Sequence, residues 1–132
     1  MLTKKICYSV LGAIGLISSA LAGAPRQLIT HNYTHVESNA FIDGVIASQH
    51  PTKAQSDNRV FWASVKLACF GHAVDNTCKA LIKMKTDTTK PIDLGWVYVN
   101  LLTGDITPNS LSKNGYRLEV NGPGETSLYE DQ

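Results

Sequence analysis

The side chains best suited to chemistry sit between two cysteines. Gly71-His72-Ala73-Val74-Asp75-Asn76, flanked by Cys69 and Cys78, offers an imidazole, a carboxylate and an amide within six residues. Acid–base catalysis would need the carboxylate to orient the ring and a pocket to exclude water. Neighbours at an exposed loop tip meet neither condition. Asp and Asn suit tight turns on their own account, through bonds from side chain to local backbone. His72 and Asp75 are therefore expected to be contact residues, and no residue is assigned a catalytic role. The competing expectation is a small hydrolase or metal-dependent enzyme built on His72, Asp75 and His50.

His31 and His35 have the H-x-x-x-H spacing that puts two metal ligands on one face of a helix. Ile29, Thr30, Tyr33, Thr34 and Val36 favour a strand instead. Residues four apart in a strand lie about 13 Å apart, too far to share an ion. No metal site and no cofactor are indicated. The sequence lacks G-x-S-x-G, P-loop, H-E-x-x-H and EF-hand patterns. Its carboxylates Asp43, Asp57, Asp87, Asp93, Asp105, Glu119 and Glu125 are dispersed. Gly122-Pro123-Gly124 follows a strand pattern and opens no helix, which suits a hairpin turn better than a phosphate cradle. Asn32-Tyr33-Thr34 matches a glycosylation acceptor, which matters only in a eukaryotic product. Among the aromatic residues Trp62 stands out. It alternates with Phe61 and Val65 and lies beside Ser64 and Lys66, so it is expected to be partly exposed and is the third contact candidate.

These residues belong to a chain built for export. Lys4 and Lys5 precede an uncharged stretch from Ile6 to Leu21, and Ala20-Leu21-Ala22 offers a small-x-small cleavage site. Residues 1–22 read as a signal peptide, and a bacterial one from its short lysine-bearing start. Its glycines and serines argue against a retained membrane anchor. Cleavage leaves Gly23 to Gln132, a single domain of 110 residues with no stable membrane anchor. Losing the two lysines leaves 10 basic residues against 11 acidic ones, a net charge of −1. Charge so balanced and scattered does not recruit nucleic acid.

Of three cysteines, Cys7 lies in the leader, so Cys69 and Cys78 form an even pair in an exported chain and read as a disulfide. Zinc would need further ligands, and only His72 is near.

The remainder reads as an all-β domain: a small antiparallel sandwich of about seven strands, immunoglobulin-like or a related Greek key, preceded by the signal-peptide helix. Expected strands are 27–36, 40–47, 59–70, 78–86, 95–102, 116–121 and 126–130. In 59–70, Phe61, Ala63, Val65, Leu67 and Cys69 share one face at period two. Cys78, Ala80, Ile82 and Met84 do the same in the next strand, so the bridge would close a hairpin base. Trp96 to Leu102 is apolar on both faces apart from Asn100, as in a strand buried on two sides. Thr107 to Gly115 reads as one helical turn, with Thr107 as N-cap, Pro108 first and Gly115 ending it. Asn114-Gly115 as a hairpin turn is the weaker alternative. Ser48–Asn58 and Thr86–Leu94 are long polar loops, suited to crossing between sheets or to binding.

The function expected is that of an exported, non-catalytic domain that binds a protein or glycan partner outside the cytoplasm. A structural subunit of a surface polymer, donating strand 27–36, is a further alternative.

Overall fold

The computed structural model describes residues 23–131. The leader, with its expected helix and Cys7, lies outside the described residues. Ten strands and one short helix follow: β1 (Gln27–Asn32), β2 (Ser38–Ile42), β3 (Ile46–Ala47), β4 (Ser56–Phe61), α1 (Trp62–Ala68), β5 (Thr77–Met84), β6 (Ile92–Asn100), β7 (Ile106–Thr107), β8 (Ser110–Lys113), β9 (Tyr116–Gly122) and β10 (Glu125–Glu130).

The strands form two five-stranded sheets, ordered β4-β1-β10-β9-β8 and β3-β2-β5-β6-β7. All pairings are antiparallel except β1 with β10. The all-β, two-sheet expectation is met with more strands than foreseen, because short β3, β7 and β8 carry too few residues to show a period. Alternation assigns the inner faces. Cys78, Ala80 and Met84 of β5, Leu118 of β9 and Leu128 of β10 point inward and are buried with Leu94 and Val97 of β6. The sheets approach most closely where β6 and β7 face β8 and β9. There Leu111 of β8 sits over Gly95 of β6.

Three expectations are corrected. Residues 62–68 are helical, not the second half of a strand. Their sequence satisfies two periods: Phe61, Ala63 and Leu67 at period two, and Trp62, Val65 and Cys69 at helical spacing. Burial selects the second, leaving Phe61 and Leu67 exposed while Trp62 and Cys69 are buried. The segment 107–115 is not a helical turn. Thr107 ends β7 in one sheet, Ser110 begins β8 in the other, and Pro108 falls at the crossing, where no ladder N–H is required. Asn114 and Gly115, at φ 56° and 88°, then make the β8–β9 hairpin turn. Finally, β6 has only one buried face. Trp96 and Tyr98 remain 37% and 42% exposed, with the Lys79 ammonium 4.9 Å from the Trp96 ring centroid.

The polar loop after β3 is tied down as a strap across the sandwich edge. Asn58 Nδ2 of β4 donates to the His50 carbonyl at 2.9 Å, and Asn39 Nδ2 of β2 donates to the Ser48 carbonyl at 2.8 Å. Ser38 and Thr52 exchange two backbone bonds. Asn32, 1% exposed, donates to the carbonyls of Val36, Thr52 and Lys53 and accepts from the Thr34 amide and hydroxyl. The amide of the apparent glycosylation acceptor is thus consumed by the fold.

Candidate functional site

Two surfaces gather chemistry-bearing side chains. The first is the tip formed by α1 and its connection to β5. A Cys69–Cys78 disulfide, with Cα atoms 5.9 Å apart, joins the end of α1 to the second residue of β5. It is a helix-to-strand staple, not the strand-to-strand hairpin bridge that period two implied. Inside the stapled loop Asp75 and Asn76 take φ of 52° and 62°, and Val74 pairs with Thr77 across them. Asp75 therefore serves as a turn residue. The Leu101 amide donates to the Asn76 carbonyl, and Trp62 Nε1 donates to the Leu101 carbonyl at 3.0 Å. Trp62, expected to be partly exposed, is only 5% exposed. It lies beneath the tip and anchors it to the end of β6.

His72 finds its carboxylate elsewhere. Its Nδ1 lies 2.8 Å from Asp43 Oδ2, in the β2–β3 turn, with both side chains partly exposed. That turn is fixed by Asp43 and Gly44 at φ 55° and 80°. A Cβ on Gly44 would fall 2.7 Å from the Trp96 ring, so glycine is required there on two counts. The structure thus brings His72 to Asp43, not to Asp75. His50 belongs to the strap. Around the tip the exposed side chains are largely apolar: Leu67, Phe70 and Val74 are 75%, 82% and 72% exposed.

The second surface is the outer face of the sheet containing β1. The His31 ring is held between Asp57 Oδ1 of β4 at 2.8 Å and Glu125 Oε2 of β10 at 2.6 Å. The hydrogen bonds to Glu125 and then Asp57 raise its pKa above the ordinary histidine value, outweighing the opposing effect of burial. Beside it runs a ladder of rings. His31 stacks on Tyr33 at 6.2 Å, Tyr33 on Tyr129 at 5.3 Å, and the Arg117 guanidinium lies 4.5 Å from the Tyr129 centroid. Arg117 is steered by Asp131 at 2.6 Å and Glu119 at 3.0 Å. His35 pairs separately with Glu130 at 2.7 Å, which lowers the glutamate's pKa.

The two histidines of H-x-x-x-H therefore end in two distinct hydrogen-bonded pairings with carboxylates. Among the described residues no group of three His, Cys, Asp or Glu side chains could hold a metal ion. Period two could signal that His31 faces outward. It could not supply Asp57 and Glu125, which arrive from strands 26 and 94 residues away.

The fold and its staple define a small, disulfide-bridged β-sandwich protein with a polar sheet face and an apolar tip. A family model described as the type II secretion system (T2SS) substrate NttC matches residues 3–131, and the chain belongs to that family. The crystal structure of the Legionella pneumophila type II secretion system substrate NttC is 54% identical to it. That match covers 82% of this chain and 100% of the other, with a TM-score of 0.81. No curated protein matches. The family is one of bacterial secretion substrates, so its members leave the cytoplasm. Among the described residues no helix is long and apolar enough to cross a membrane.

Proposed function

We propose that this protein is an exported, non-catalytic module that binds a protein partner outside the cytoplasm through its stapled tip. Residues 1–22 direct export as a cleaved signal peptide, and the remaining domain is then carried outward by a type II system, as the printed name of its structural relative suggests. The observation that carries the reading is the exposure of Leu67, Phe70 and Val74 on a unit held by the Cys69–Cys78 bridge. Exposed aliphatic and aromatic side chains on a rigid support lose little conformational entropy on binding. His72, tethered to Asp43, adds a polar contact beside them. Apolar anchors of this kind favour protein over glycan, since sugars are more often met by aromatic rings among hydrogen-bonding groups.

Such a ring surface exists on the opposite sheet, where Tyr33 is 53% exposed and stacked on Tyr129. It supports glycan binding as the second reading. The hydrolase reading has less support, because His72 and Asp75 are not paired. Polymer assembly through donated strand 27–36 also loses support, since β1 already lies between β4 and β10.

The test uses the secreted protein immobilised against a panel of extracellular proteins and against a glycan array, beside Leu67→Ser/Phe70→Ser and Tyr33→Ala/Tyr129→Ala variants. Protein binding lost only in the tip variant supports the proposal. Glycan binding lost only in the tyrosine variant selects the second reading, and hydrolysis abolished by His72→Ala would refute both.

A further inference from the structure

The inner faces of the two sheets do not meet everywhere. A cavity of about 140 Å³ lies between the sheets, lined chiefly by β1 and β4 of one and β2 and β5 of the other and reaching inward to Val97, Ile106, Leu118 and Leu128. Its walls include Leu28, Ala40, Ala80, Ile82 and Val99. Four of these, Leu28, Ala40, Ile82 and Val99, pack against the core and yet remain only partly buried. Inward-facing side chains that still offer free surface are what an internal space produces. Protein interiors are otherwise close-packed, with few voids larger than a water molecule.

Most of the exposed lining is apolar, with hydroxyl and amide groups of residues such as Thr30, Ser38, Asn39 and Asn58 among it, and His50 is its one ionisable side chain. His50 on the strap and Ala68 on α1 are both lining residues and both exposed, so the mouth lies between strap and helix. The strap is fixed to both sheets, by Asn58 to β4 and by Asn39 and the Ser38–Thr52 pair to β2. The opening is therefore built in advance, with nothing to unfold before entry.

We infer that this cavity is a binding site for an uncharged apolar group of about benzene's size. The group is either a free small hydrocarbon or the end of an amphiphile whose polar part stays at the mouth beside Ser48 and His50. Apolar cavities of about 150 Å³ accept benzene. An ionised group inside would lose its water among mostly apolar walls, with no charged partner deeper than His50 at the mouth. The cavity borders α1 and the Cys69–Cys78 staple from the inside, but the inference does not depend on the partner role proposed for the outward-facing Leu67, Phe70 and Val74.

Methyl NMR on the purified, disulfide-intact protein, titrated separately with benzene and with hexanoate, tests the inference. Saturable shifts at the Ala40, Ala80, Ile82 and Val99 methyls are expected, with a higher Tm at saturation. Response to benzene alone identifies a hydrocarbon site, and response to hexanoate as well identifies an amphiphile site. Ala80→Leu and Ala40→Leu each fill the space and should abolish the shifts while holding or raising the ligand-free Tm. If one of them fails to fold, the other decides. No saturable shift with either probe, or shifts unchanged in a folded filled variant, would overturn the inference.

Discussion

One side of the sandwich is closed and the other is propped open. Where β6 and β7 face β8 and β9 the sheets converge, and Leu94 of β6 is almost wholly buried. Towards β4 and β2 the inward residues are smaller, with Ala40, Ala80, Ser38 and Thr30 around the cavity, and the gap is bridged by α1 and the strap. The contrast teaches that period two assigns a side chain to an inner face without stating that the face is filled. Filling depends on the volumes brought opposite one another, and here Ser38, Ala40 and Ala80 of one sheet leave room that Leu28, Thr30 and Val60 of the other do not take up.

Truncation tests this contrast most severely. Leu94→Ala on the closed side should destabilise by about 3–5 kcal/mol in urea unfolding, because its neighbours cannot collapse into the hole. Replacing Cys69 and Cys78 together by Ala should cost about 2.5–3 kcal/mol on the chain-entropy model, seen as a lower urea midpoint. Leu28→Ala, beside the cavity, should cost only about 2 kcal/mol, the low end for such truncations, since part of its surface is already free of contacts. A cost equal to that of Leu94→Ala would show that the open side is packed after all.

A smaller effect separates the two histidine sites. The folded-state pKa of His31 is raised, so its contribution is fully present below the unfolded value near 6.5 and is lost as pH rises through the higher folded value. Asp57 and Glu125 are partly exposed, so screening limits the gain to about 0.5–1 kcal/mol. His31→Gln should therefore lose that amount at pH 6 and match wild type once the histidine is neutral, by urea midpoints across pH. The smallest effect is expected at the tip. Leu67→Ser/Phe70→Ser should shift stability by no more than about 0.5 kcal/mol per site, because both side chains already face solvent.

Much of the sheet content was legible. Alternation in Cys78–Met84 and Tyr116–Val120 identified inner and outer faces, and cysteine parity in an exported chain identified the bridge. The same alternation misled between Phe61 and Cys69, where helical spacing fitted equally well and only the burial of Trp62 chose between them. The candidate site was less legible. His72 was visible as a candidate, but its partner Asp43 comes from a turn 29 residues away, and the neighbouring Asp75 was needed by the backbone. Asn32 showed as part of a glycosylation pattern, whereas its buried amide holds the strap.

By itself the sequence determined the properties that are local. Side-chain type and spacing specify strand periodicity, a turn such as Gly122-Pro123-Gly124 and a pairable set of cysteines, since each depends on a few consecutive residues. Tertiary structure decided what depends on distant residues meeting: the helix at 62–68, the carboxylate partners of His31 and His72, the burial of Trp62 and the space between the sheets. These follow from how two sheets are stacked and how much volume each contributes at their interface, and no local pattern encodes that sum.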